Sequence, residues 1–156
     1  MTNITRLLFV IGSVSVVGLL SACAGDENNG PYDREAIIEV MRQVDQQADV
    51  IWGNSGSEWD ADGERELFPT TDEGWQQLVV AGQALVTLGQ DLKGYINQND
   101  PRADAWLTYA AAISDVSKKL VAAAQEQDKK TTFDDGGVLY QVCTACHATF
   151  PAPEEE

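Results

Sequence analysis

Apolar residues recur every three or four positions in three stretches of the chain, and nowhere do they alternate convincingly with polar ones. Ile37, Met41, Val44, Ala48 and Ile51 form one stripe, Trp75, Leu78, Gly82, Leu85, Gly89 and Leu92 a second, and Trp106, Ala110, Ile113, Ser117, Leu120 and Ala124 a third. Such spacing lays one face of an α-helix against a core. The residues between the stripes punctuate them. Pro31 can open the first helix, which is expected to stop near Gly53, and Thr70 with Glu73 stands in capping-box spacing before the second. Asp100 and Pro101 are the predicted N-cap and first turn of the third helix, which runs out over residues 125–130. Residues 131–137 read as a turn, and a fourth helix follows from about Val138 to Ala148, ended by Pro151 and Pro153. Residues 53–71, with Asn54, Gly56, Gly63 and Pro69, read as a long connection that Trp59, Leu67 and Phe68 pin to the core. The expectation is all-α, an antiparallel up-down-up-down four-helix bundle. Gly82 and Gly89 fall on an apolar stripe, where a bare backbone admits a close neighbour, a second helix more commonly than a bound group.

The first residues do not belong to this pattern. Arg6 precedes an apolar run from Leu7 to Leu20, with no acidic residue before Asp26, the make-up of an export signal. The run ends in Leu20-Ser21-Ala22-Cys23, which resembles the lipobox at which bacteria cleave before a cysteine and attach lipid to it. Cleavage after Ala22 or Ala24 as an ordinary secretory peptide, or an uncleaved anchor, are the competing readings, although the run is short for a membrane span. The division expected is a signal peptide at 1–22, a lipid-anchored tether at 23–31, a helical domain at 32–150 and an acidic tail at 151–156. Ala24 stands where an Asp would favour retention in the inner membrane, so the expected location is the periplasm, anchored to the outer membrane.

Removal of 22 residues from 156 leaves 134, enough for one domain with its own core. The formal charge of −15 becomes about −16 without Arg6, which makes nucleic acid a poor partner. The surplus has a bland meaning, a solvated surface, and a sharper one, steering toward a basic redox protein. The three cysteines leave no disulfide framework once Cys23 is assigned to lipid and the other two to a single motif.

That motif is Cys143-Thr144-Ala145-Cys146-His147. Two thiols separated by two residues match the reach between the vinyl groups of haem, and the histidine that follows lies beneath the iron as proximal ligand. A redox disulfide of thioredoxin type would require a βαβ context that is missing. A zinc site would require a third and fourth ligand, and His147 is the chain's single histidine. One covalent haem c is therefore the expected cofactor.

A Cys-x-x-Cys-His near the C-terminus of an exported four-helix chain resembles the cytochrome c′/c556 family, the class II cytochromes c. The helix pattern extends the resemblance over residues 32–150, and 137–142 leading into Cys143 also looks typical. The resemblance implies that the first helix covers the distal face of the haem. In the c556 type a methionine there ligates iron; in the c′ type an apolar residue leaves iron five-coordinate. Met41, the one methionine left after loss of Met1, is thereby the expected distal ligand, against the ordinary role of a methionine that fills a core. Thr144 replaces the family's frequent lysine, Phe150-Pro151 cuts the last helix short, and the 53–71 connection is unusually long.

The function implied is electron transfer with His/Met-ligated iron and no enzymatic step. The alternative is c′-like binding of nitric oxide or carbon monoxide at five-coordinate iron. Partners would be unidentified redox proteins and the membrane, the latter through the lipid on Cys23; a homodimer is a further possibility of the family.

Overall fold

The computed structural model describes residues 33–152, and four α-helices carry most of them. Each start has a local cause. Asp33 accepts the Ala36 N–H at 3.1 Å and opens α1 (Arg34–Trp52). Thr71 accepts the Gly74 N–H at 3.2 Å and opens α2 (Asp72–Asp91), one residue after the capping box expected at Thr70. Asp128 accepts the backbone N–H and the hydroxyl of Thr131 and opens α4 (Lys129–Thr149). These oxygens satisfy amides that the first turn leaves unpaired. The exception is α3 (Ala103–Gln125), which follows Arg102 without a side-chain cap. Pro101 lies in the preceding turn rather than in the helix, and Asp100 spends its carboxylate on the backbone and guanidinium of Arg102.

Two expectations need correction. Residues 53–71 include a two-stranded antiparallel hairpin, β1 (Ser57–Asp60) and β2 (Gly63–Glu66), with Trp59 opposite Glu64. Gly63 supplies the left-handed backbone of its turn at φ 120°. Phe68 does pin the end of the connection by stacking on Trp75, but Trp59 is 75% exposed and pins nothing. The second correction concerns α4, which begins nine residues before the expected Val138 and absorbs the predicted turn at 131–137. The α3–α4 connection shrinks to residues 126–128, with Gln127 in the left-handed region at φ 55°.

Helices α2 and α3 run antiparallel. Gly82 faces Ser117 and Val121 while Gly89 faces Ala110 and Ser114, so positions on α2 rise as those on α3 fall. A Cβ on Gly89 would meet the Ser114 nitrogen at 2.8 Å and the Ala110 oxygen at 3.0 Å, so it is a helix that these glycines admit. The core runs through all four helices, with Ile51, Leu78, Leu85, Leu120 and Leu139 among its fully buried side chains. Between 33 and 152 no helix is long and apolar enough to cross a membrane. The expected signal peptide, Cys23, the expected tether, Pro31 and residues 153–156 of the expected tail lie outside the described residues.

Candidate functional site

Cys143, Cys146 and His147 occupy the last two turns of α4. This end is fixed to α3. The Phe150 N–H donates to the Cys146 carbonyl at 2.8 Å, and the buried Phe150 ring meets Trp106 edge-on at 5.1 Å. Trp106 in turn donates its indole N–H to the Leu92 carbonyl at 2.7 Å. Arg102 lies over the same phenyl ring, and the Tyr109 and Thr149 hydroxyls stand 3.4 Å apart. Phe150 therefore closes α4 as a packed anchor, one residue past its last helical position.

Nearer its middle, α4 meets α1. Trp52 donates its indole N–H to the Gly136 carbonyl at 3.1 Å and meets Tyr140 edge-on at 5.9 Å. A Cβ on Gly136 would sit in ordinary contact, 3.4 Å from the Ser55 hydroxyl and 3.7 Å from Ile51, so the two helices lie close here without a clash that only glycine avoids. Helical spacing carries the two contact lines onward. Gly136, Tyr140 and His147 follow at steps of four and seven, so His147 shares the stripe that faces α1. On α1, Ile38, Met41, Asp45 and Trp52 follow at steps of three, four and seven, so Met41 shares the stripe of Trp52. Met41 is ten residues before Ile51 and Cys146 ten residues after Gly136. At a rise of about 1.5 Å per residue, each span is about 15 Å along its helix.

Along this seam burial is incomplete where the motif lies. Ile38 and His147 are exposed, Met41 and Cys143 are half-buried, and Cys146 is 8% exposed. Met41 packs on the core from its edge. Both thiols are free. Burial pushes the Cys143 thiol above its ordinary value, with the Asp45 carboxylate adding to the effect. Burial, then the neighbouring Cys143, pushes Cys146 up to about 11. A redox-active Cys-x-x-Cys has the opposite character, a thiol depressed toward or below neutrality by positive surroundings.

Among the described residues no group of three or more His, Cys, Asp and Glu side chains converges as an ion's ligands would. The motif's side chains thus offer separate attachment points rather than one coordination sphere. A macrocycle that takes two thioethers at its rim and one nitrogen at its centre requires no such convergence. The donor set also fits in its polarity: one buried and one half-buried thiol, and an exposed imidazole for the group to cover. Asp45, Trp52 and Tyr140 were not singled out as site residues from sequence. The spacings Met41 to Asp45 and Tyr140 to His147 were the available signal. Comparison of the chain with protein-family models, curated proteins and solved structures finds no match.

Proposed function

We propose that the chain is a periplasm-facing monohaem c-type cytochrome, an antiparallel up-down-up-down four-helix bundle anchored by lipid on Cys23, that transfers electrons and catalyses no reaction of its own. The observation that carries this reading is the pair of free thiols on one turn of α4 with His147 directly after them; Met41 supports it by standing on the α1 stripe that contains Trp52, which reaches α4. Cys143 and Cys146 would hold the haem c by thioethers, His147 would be its proximal ligand and Met41 its distal one. Bound there, the group would supply a one-electron ferric/ferrous couple.

The chain's own part is to hold that couple still. The Phe150–Trp106 contact fixes the end of α4 against α3, so the imidazole is carried on a rigid base. The apolar side chains of Ile38 and Met41 exclude water from the α1 side. The Asp45 carboxylate beside Cys143 favours the more positive state of anything attached there. A neutral His147 must present its lone pair and keep its other ring nitrogen protonated toward solvent or a carbonyl.

One observation favours the alternative, c′-like gas binding: Met41 is already half-buried against the core, and a thioether used for packing leaves iron open. Visible spectra of the protein matured with haem decide. Low-spin bands unmoved by carbon monoxide, turning high-spin and gas-sensitive in Met41→Ala, are the expected result. Gas-sensitive bands in the unaltered protein select the alternative, and a colourless protein with two titratable thiols overturns both.

A further inference from the structure

The hairpin and the first half of α4 frame a groove of about 510 Å³ whose walls include Trp52, Trp59, Phe133, Gly136, Gly137 and Tyr140. Its aromatic side chains are unusually bare: Trp59 is 75% exposed, Tyr140 60% and Phe133 55%. Large apolar rings held open to water cost free energy that folding alone does not explain, and bare aromatics concentrate at interaction surfaces.

The rim has one sign. The hairpin carries five exposed carboxylates, Glu58, Asp60, Asp62, Glu64 and Glu66, against one guanidinium, Arg65. Arg65 is bonded to Glu58, and the nearest lysines, Lys129 and Lys130, are bonded to Glu66 and Asp134. The cations of the rim are thus engaged and the surplus is negative. An aromatic centre inside a charged rim is the anatomy of a protein interface. The negative rim repels a second copy of a chain whose net charge is −15, and repels anionic lipid headgroups in the same way.

We infer that this groove is the docking surface for a basic partner protein, one that presents an apolar side chain ringed by lysine or arginine. Trp59 is the central contact and the hairpin carboxylates steer the approach. Tyr140 is three residues before Cys143, so a seated partner lies one helical turn from a thiol proposed to hold haem. Only this last consequence, that the partner is a redox protein, rests on the function proposed above.

The test uses the mature, haem-loaded protein and two basic probes of similar charge: a small soluble cytochrome c whose apolar haem edge is ringed by lysines, and hen lysozyme as a charge control. Binding of the cytochrome is expected to shift the amide resonances of residues 57–66 and 133–140. It should weaken on raising salt from about 0.05 M to about 0.2 M, and weaken at least about tenfold in Trp59→Ala. The double variant Asp62→Lys with Glu64→Lys should slow association while leaving the melting temperature of the free protein unchanged. Equal binding of both probes with no effect of Trp59→Ala would reduce the surface to charge alone and overturn the proposal, as would no binding. A concentration-dependent dimer that Trp59→Ala dissolves would also overturn it, by making the groove a self-interface. The two readings fail separately: a protein without haem bands that still binds through Trp59 supports the docking surface and sinks the cytochrome.

Discussion

The α2–α3 seam and the α1–α4 seam are built on opposite plans. In the first, Gly82 and Gly89 let the backbones approach until a single added Cβ would reach main-chain atoms of the neighbour. Ser114 and Ser117 are buried there with hydroxyls that make no hydrogen bond, which is tolerable only because the side chains are small. In the second, the Trp52 indole reaches the Gly136 carbonyl, and the residues that continue the two stripes, Ile38 and Met41 on α1 and Cys143 and His147 on α4, are none of them fully buried. Small residues close a seam; large and reactive ones leave room in it. A fold with both can be rigid on one side and receptive on the other.

Four substitutions or conditions probe that contrast. The largest effect is expected at Gly89. Alanine is a better helix former by about 1 kcal/mol, yet its Cβ must move backbone atoms, and the net cost should be about 1–3 kcal/mol in urea unfolding. At Gly82 the obstacle is the Val121 methyl, which can rotate aside, so Gly82→Ala should cost less. Equal or increased stability at Gly89 would mean the tight seam can open. Next is Trp52→Phe, which removes the indole bond to Gly136 and should cost about 0.5–1.5 kcal/mol. Hydrogen exchange should then quicken in the last turn of α1 and stay unchanged in α2 and α3; a uniform change would deny that the seams are independent. The smallest effect, nil near neutrality, concerns the thiols of the haem-free protein. Because Cys146 is raised from about 9 to about 11, the folded chain keeps a proton that the unfolded chain releases first. Stability is therefore full below about pH 9 and lost progressively as pH rises toward about 11. Urea midpoints should fall across that window in the haem-free protein, and thioether formation should abolish this part of the fall.

The tight seam was legible in the sequence and the open one only in its chemistry. Periodic apolar stripes placed α1, α2 and α3 to within a few residues, since each buries one continuous face. The first half of α4 was hidden because Thr131, Thr132, Gly136 and Gly137 are poor helix formers. Their helix is secured by specific partners instead: Asp128 caps Thr131, the Thr132 hydroxyl donates to the Asp128 carbonyl at 2.7 Å, and Gly136 receives Trp52. The hairpin was illegible for another reason. Seven of its eight strand residues are exposed and the other is only half-buried, so no side of it is core and no alternation exists to be read. Cys143, Cys146 and His147 stand out as candidates from spacing alone, whereas the nearness of Asp45 to Cys143 depends on how two distant helices align.

The bond from Trp52 to Gly136 joins residues 84 positions apart. In an unfolded chain, bringing such distant points together costs entropy that grows slowly but steadily with the length between them. The α1–α4 seam therefore closes the longest loop of the four helices with few contacts to hold it. Any group that bridged it from His147 to Met41 would behave thermodynamically as a cross-link, stabilising the fold chiefly by the disorder it denies the unfolded polymer.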